Sequence, residues 1–161
     1  MALDKLLYVI KMFTYMSANS QFTTMVHVLT LLGKAHHPLS SRWIAGSVNT
    51  NPVVIRQIVG RLHEVELVDT FPGSTGGTVL KKDPAQITLK DIYRLAKNET
   101  FFGLHPNEPS PYCPVGRNIQ AVLIEVFDQV DQLVEGALGD ITIADIIVQV
   151  SQREAMRTQA Q

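Results

Sequence analysis

Asn51–Lys82 reads NPVVIRQIVGRLHEVELVDTFPGSTGGTVLKK, and two pieces of punctuation in it decide the fold. The first is the opening Asn-Pro pair. Asparagine caps a helix by accepting a backbone N–H bond, and proline at the first helical position loses nothing by lacking its own N–H. The helix so opened runs to about Glu66. Ile55, Ile58, Val59, Leu62 and Val65 line one stripe, whereas Val53, Arg56, Gln57, Gly60, Arg61 and Glu64 line the other, so one side is core and the other presents arginines and an amide. The second is PGSTGG at 72–77. Glycine reaches backbone conformations that other residues avoid, so this is a turn, and the flanking LVDTF and TVLKK read as the two short strands of a hairpin.

Upstream, Asn19 or Ser20 can cap a helix whose apolar positions Phe22, Met25, Val26, Leu29 and Leu32 recur at helical spacing until Gly33 ends it. HHPLSS breaks the chain, and Ser40 or Ser41 caps a second helix through Val48, with Trp43, Ile44 and Val48 on its buried side. Downstream, Thr88 caps the helix LKDIYRLAK. The stretch NETFFGLHPNEPSPYCPVG follows, with four prolines and no periodicity, and reads as a connector. From about Val115, Ile119, Leu123, Val126, Val130, Leu133 and Ala137 repeat at alternating steps of four and three, the seam of a helix that buries itself against another helix. Thr142 opens a last helix, IADIIVQV, and the polar SQREAMRTQAQ reads as a frayed tail.

Three short helices followed by a glycine-tipped hairpin is the order of a winged helix-turn-helix. The expected fold is therefore mainly α with a small β-hairpin: a winged helix-turn-helix head plus a long dimerisation helix. The expected divisions are an N-terminal extension (1–15), the DNA-binding domain (16–97), a connector or sensor loop (98–114), dimerisation helices (115–150) and the tail (151–161).

This order carries a chemistry. A major groove about 12 Å wide admits one helix, whose outer face must reach base edges. At the start of the third helix, Arg56 can fork onto guanine, Gln57 onto adenine, and Val53 can touch a thymine methyl; Arg61 continues the same face. Ser40, Ser41 and Arg42 can hold phosphate at the start of the second helix. Ser74, Thr75 and Gly76 form a wing tip bare enough for its backbone to approach the sugar-phosphate edge, with Lys81 and Lys82 close by.

Charge agrees with this division of labour. The chain of 161 residues has a net charge of −1, against unselective coating of nucleic acid. From Lys34 to Lys90 there are seven Lys/Arg and four acids (+3), and from Asp91 onward five and ten (−5), a mildly basic working end on an acidic body. Cys113 is the only cysteine, which rules out an intrachain disulfide and a cysteine-rich metal site within one chain, and points to an intracellular, cytoplasmic protein. The opening MALDKLLYVIKMFTYM is too short and too charged for a membrane span of about 20 apolar residues. It is an extension, with Met12 and Met16 as alternative starts, or a helix packed on the body. His27, His36, His37 and His63 form no close metal-ligand spacing with a carboxylate or cysteine. His105, Glu99, Glu108 and Cys113 converge only if the connector folds back. No phosphate-binding glycine loop follows a strand and no serine–histidine–acid arrangement is spaced for catalysis, so the chain is not read as an enzyme.

LSSRWIAGSVNTNPVVIRQIVGRLHEVELVDTFPGSTGGTVLKKDPAQITLKDIYRLA resembles the Rrf-two family of bacterial winged-helix regulators in its IA helix, its P…IRQIV.RL…LV helix, its G..GG wing and its P..ITL.DIY segment. The resemblance extends from about Met16 to TIADII. It implies a homodimer on a roughly two-fold double-stranded DNA operator, with the helix after Val115 as the dimer element. Well-known members hold an iron–sulfur cluster on three cysteines in the loop before that helix. This chain offers only Cys113 there, so no cofactor is expected, and CPVGRNI is more like the cluster-free, YwnA-like branch.

Cys113 precedes a helix, whose N-terminus lowers a thiol's pKa. It is thus a candidate redox sensor, with Arg117 one turn on, or else a small packing residue. Phe101, Phe102 and Tyr112 can alternatively wall a pocket for a small-molecule effector between head and dimer helix. The function expected is a dimeric, sequence-specific transcriptional repressor responsive to an oxidant or ligand. The alternative is a winged-helix adaptor that binds protein through Val53 and Val54 without specific DNA binding.

Overall fold

A computed structural model of the chain describes residues 18–73, 76–96 and 104–160. The extension at 1–15, the wing-tip residues Ser74 and Thr75, and Glu99, Phe101 and Phe102 of the connector lie outside the described residues. The elements are α1 (Ala18–Lys34), α2 (Ser41–Val48), α3 (Pro52–Glu64), β1 (Val68–Phe71), β2 (Gly77–Leu80), a single 3-10 turn (Pro84–Gln86), α4 (Leu89–Ala96), α5 (Pro114–Gly139) and α6 (Ile143–Gln159). The described residues are mainly helical, with one two-stranded antiparallel hairpin among them.

The local signals act as their chemistry requires. Asn51 Oδ1 accepts the Val53 N–H at 2.8 Å and Pro52 occupies the first turn of α3. Ser40, rather than Ser41, caps α2, its Oγ accepting the Trp43 N–H at 3.2 Å. Asn49 closes α2 at φ 58°, and the Thr50 N–H returns to the Ala45 carbonyl at 2.9 Å. Asparagine tolerates this left-handed conformation better than most residues, and the resulting tight corner sets α3 across α2. Ile55, Ile58 and Leu62 are fully buried on the inner face of α3, against Met25, Val28 and Leu29 of α1.

Four expectations change. Asn19 and Ser20 lie inside α1 rather than at its cap. Trp43 is 55% exposed; Ile44 and Ala45 carry the buried side of α2. Val65 is also exposed, because α3 ends at Glu64 and the chain turns through Glu66 at φ 58°, handing the core position to Leu67. SQREAMRTQ does not fray but continues α6 to Gln159 with every residue exposed.

The hairpin pairs Val68 with Leu80 through Phe71 with Gly77. It gains a third rung from the segment before α2. Leu39 and Thr78 exchange both backbone bonds at 2.9 Å, which fastens the wing to the helix-turn-helix. Gly77 makes this approach possible: a Cβ there would lie 2.7 Å from the Leu39 carbonyl oxygen. Lys81 and Lys82 fall just past β2.

A second backbone junction joins the far end of the chain to the head. The Leu89 N–H donates to the Ile141 carbonyl at 2.8 Å and the Ile143 N–H to the Ile87 carbonyl at 2.9 Å. Beside this rung stand two matching caps, Thr88 with Asp91 and Thr142 with Asp145. Ile143 is fully buried among head residues and α6 packs along α1, so the start of the last helix contributes to the head's core. Helix α5 meets the head at α4. The Tyr93 hydroxyl donates to buried Asp131 at 3.0 Å, and Arg94 pairs with Glu135 at 2.6 Å. Burial first, then the Asp131 bond, pushes the Tyr93 phenol up to about 12.

Two outcomes are expected. Gly77→Ala lowers unfolding stability by about 1–3 kcal/mol through the clash with Leu39. Gly60→Ala, on exposed helix with nothing within 4 Å of the new methyl, raises it by about 1 kcal/mol; denaturant titration of both variants checks the contrast. A spectrophotometric titration finds one tyrosine ionising at about 12. Because that pKa is raised on folding, the junction's contribution is intact below the unfolded phenol's value of about 10 and is lost as pH climbs through the folded value. Tyr93→Phe abolishes that alkaline loss.

Candidate nucleic-acid interface

The inner stripe of α3 is locked in the core, so its outer residues point outward by default. Arg56 and Gln57 are exposed on its first half and Val53 is half-buried beside them. Arg56 Nη1 donates to Ser41 Oγ at 3.4 Å, which draws the starts of α2 and α3 together. Arg42, adjacent, is exposed. A groove of about 410 Å³ runs between α3 and the wing, bordered by Arg56, Gly60, His63 and Phe71.

Other expected contacts are placed differently. Arg61 turns inward, donating to Gln21 Oε1 at 2.5 Å and to the Leu95 carbonyl, and so braces α3 against α1 and the end of α4. Ser40 already spends its hydroxyl oxygen on the α2 cap. Lys81 is ion-paired with Glu66 at 3.0 Å, an interaction that raises the lysine's pKa and lowers the carboxyl's. Lys82, next to it, is exposed. Gly76 is described, at the base of the wing tip.

Two residues at the site escaped the sequence reading. Phe71 is 54% exposed at the edge of the wing. The His63 ring sits 2.9 Å from the Val68 carbonyl, so Nδ1 carries the proton, with Asp69 at 3.9 Å. A hairpin strand with one outward-facing aromatic gives no period to read, and a lone histidine on a helix resembles any other exposed position.

Helix α5 carries two apolar stripes, roughly 100° apart around its axis. One, with half-buried Phe127, Val134 and Leu138 around Asp131, faces the head. The other is the seam read in the sequence. Ile119, Leu123 and Val130 are half-buried at its edge, while Val126, Ala137 and Leu133 are exposed, Leu133 at 75%. Val115 and Val122 extend this uncovered strip. Cys113 is exposed at the N-cap of α5, where the backbone N–H groups of Gly116 and then Val115 hold its thiol below the usual range. Tyr112 is almost wholly exposed; Phe101 and Phe102, its partners in the expected pocket, lie outside the described residues.

The stacked α2–α3 corner, the outward arginine and amide, and the wing beside them define a winged helix-turn-helix protein. Residues 18–149 match the sequence profile of the Rrf2 (Rrf-two) family, described as an iron-dependent transcriptional regulator. The chain belongs to this family, one of transcriptional regulators and not of enzymes. It is 39% identical over 130 residues to YwnA of Bacillus subtilis (strain 168), named as an HTH-type transcriptional regulator, spanning 80% of this chain and 96% of that one. A crystal structure named as a transcriptional regulator from Lactobacillus plantarum superposes with a TM-score of 0.71 at 26% identity, covering 88% of this chain and 96% of that one. Another, named as a DNA binding protein, gives 0.64 at 34% identity, over 80% and 99%.

The family's description invokes iron, and the donors here can be tested against it. Iron–sulfur clusters are held by about four thiolates. This chain has one cysteine, and among the described residues no three His, Cys, Asp or Glu side chains converge to hold a metal ion. One chain's donors do not fit a cluster. No helix among the described residues is long and apolar enough to cross a membrane.

Proposed function

We propose that two copies associate through the uncovered stripe of α5, place their α3 helices in successive major-groove faces of a roughly two-fold operator, and repress transcription in the bacterial cytoplasm by occluding the promoter. The observation that carries this reading is the exposure of Arg56 and Gln57 on a helix whose opposite face is fully buried. Arg56 reads guanine, Gln57 adenine, and Val53 a thymine methyl. Ser41 and Arg42 hold phosphate on one side of α3, and the wing tip with Lys82 holds it on the other. Arg61 has no place in this set because its guanidinium braces the core, and Lys81 is secondary because Glu66 engages it. The association is supported by the exposed valines and leucine of α5, a contiguous apolar strip of the kind that marks interfaces.

The protein works without an iron–sulfur cluster in this reading, and Cys113 supplies its response. A thiolate there attacks a peroxide, forming an S–O bond as the O–O bond breaks and hydroxide leaves, and the sulfenic acid changes the start of α5. That helix is tied to α4 through Tyr93–Asp131 and Arg94–Glu135, so a shift at its start reorients the head.

Selection of bound duplexes from a random pool is expected to return a two-fold site. Against that site, Arg56→Ala or Gln57→Ala loses about 1–3 kcal/mol of binding and relaxes base preference at one position of each half. Arg42→Ala instead weakens all sequences alike and reduces the salt slope by about one. Unchanged affinity and selectivity in the Arg56, Gln57 double variant removes the assigned face. Peroxide is expected to release wild-type protein from the selected site and to leave Cys113→Ser bound; equal release in both removes the thiol.

A further inference from the structure

A groove of about 550 Å³ lies on the far side of α1 from the core, with α1 as its floor. Phe22, Val26, Leu31, Leu89, Ile146 and Val150 make its apolar walls. It is preformed rather than induced. Helix α6, which builds one wall, is fastened by the Ile143–Ile87 backbone bond and by Ile147, which packs so closely on Gly33 that a Cβ there would meet its Cδ1 at 2.6 Å. A volume in this range suits a small molecule.

The polar groups in the groove decide what kind. The Thr23 and Thr30 hydroxyls bond back to α1 carbonyls at 3.1 and 2.7 Å. His27 stands 3.3 Å from Ser47 Oγ of α2. Lys34 closes the other end, its Nζ donating to Ser151 Oγ of α6 at 3.0 Å, a neutral partner. His27 and Lys34 are seven residues apart, hence on one face and about 10 Å apart along the axis. Among the described residues no Asp or Glu lines the groove. The nearest acid in sequence on α6, Asp145, is taken up in its own cap with Thr142. The charge that this lining complements is therefore negative, single, and placed at one end of an apolar body.

We infer that this groove is a binding site for a small monoanionic amphiphile, a carboxylate or sulfonate carrying an apolar ring or chain. The anion is held by Lys34 and Ser151, and the apolar body lies along α1 toward His27 and Ser47. Ser47 sits on α2 two residues before the Asn49 corner that leads into α3, so an occupant that separates Ser47 from His27 acts on the recognition helix. That last link rests on the DNA-reading proposal above; the site itself does not, and it is tested without DNA.

The full chain is titrated with anilinonaphthalene sulfonate and, in parallel, with uncharged N-phenylnaphthylamine, following fluorescence. The sulfonate is expected to saturate at one per chain and to bind more tightly than the neutral probe. Lys34→Glu, at an exposed position that tolerates it, weakens the sulfonate by roughly tenfold or more and spares the neutral probe. Lys34→Arg retains the binding, and Val150→Glu, which sets a carboxylate in the exposed wall, abolishes it. Equal affinity for the two probes overturns the inference, as does sulfonate binding that ignores Lys34→Glu and Val150→Glu, which places the probe elsewhere, such as on α5. Binding that disappears as the chain is concentrated also overturns it, because a second copy then fills the groove.

Discussion

A helix can offer a fixed set of side chains to a partner only if its other face has nowhere to go. In α3 that constraint is met by Ile55, Ile58 and Leu62, all without solvent exposure. Rotating the helix by one residue would bury Arg56 without a partner, which costs far more than any surface contact returns. The direction of Arg56 and Gln57 is thus a consequence of core packing, not of anything at the surface. Arg61 shows the same rule from inside: one turn further along, its guanidinium falls where Gln21 and the Leu95 carbonyl can satisfy it, and it becomes part of the frame.

The frame is closed by two backbone rungs that no local signal announces. Leu39–Thr78 ties β2 to the entry of α2, so the hairpin strands are fastened by backbone bonds to the α2–α3 corner. Thr88–Thr142 ties the return from α5 to the entry of α4 and carries α6 onto α1. Each rung stands where caps or glycine already fix the chain: the Ser40 cap and Gly77 at one, the paired threonine–aspartate caps at the other. Short-range chemistry shapes the ends, and long-range pairing then needs few bonds to hold them.

This separates what was legible in the sequence from what was not. The α3 start at Asn51-Pro52, the wing, the Thr88 and Thr142 caps and the long α5 were all readable, because each is written in residues close together. Trp43 was not: on a helix of eight residues the apolar period is too short to tell a buried ring from an exposed one, and Ile44 and Ala45 suffice for the core. Glu66 was not, since a non-glycine residue in the left-handed region looks like any other acid until Lys81 is found beside it. The inward turn of Arg61 depends on Gln21, forty residues away, and no spacing rule reaches so far. The tail was misread because its polarity suggested fraying, whereas α6 starts from a strong capping box and its helix carries on past its last packed turn.

The division of α5 into two apolar stripes links these points to mechanism. Had the whole helix packed on its own head, Asp131 would have no reason to be its one buried residue among those described. The carboxylate is instead held by Tyr93 at the centre of the head-facing stripe, a polar bond that fixes the helix's rotation as apolar packing alone would not. With rotation fixed, the second stripe has a defined bearing relative to Arg56 and Gln57. Association through that stripe, as proposed, therefore sets the angle between two reading heads. In that proposal the joint at Tyr93–Asp131 and Arg94–Glu135 is one link, beside the Thr88–Thr142 rung, through which a small displacement of α5 reaches the head and changes the spacing of the two α3 helices.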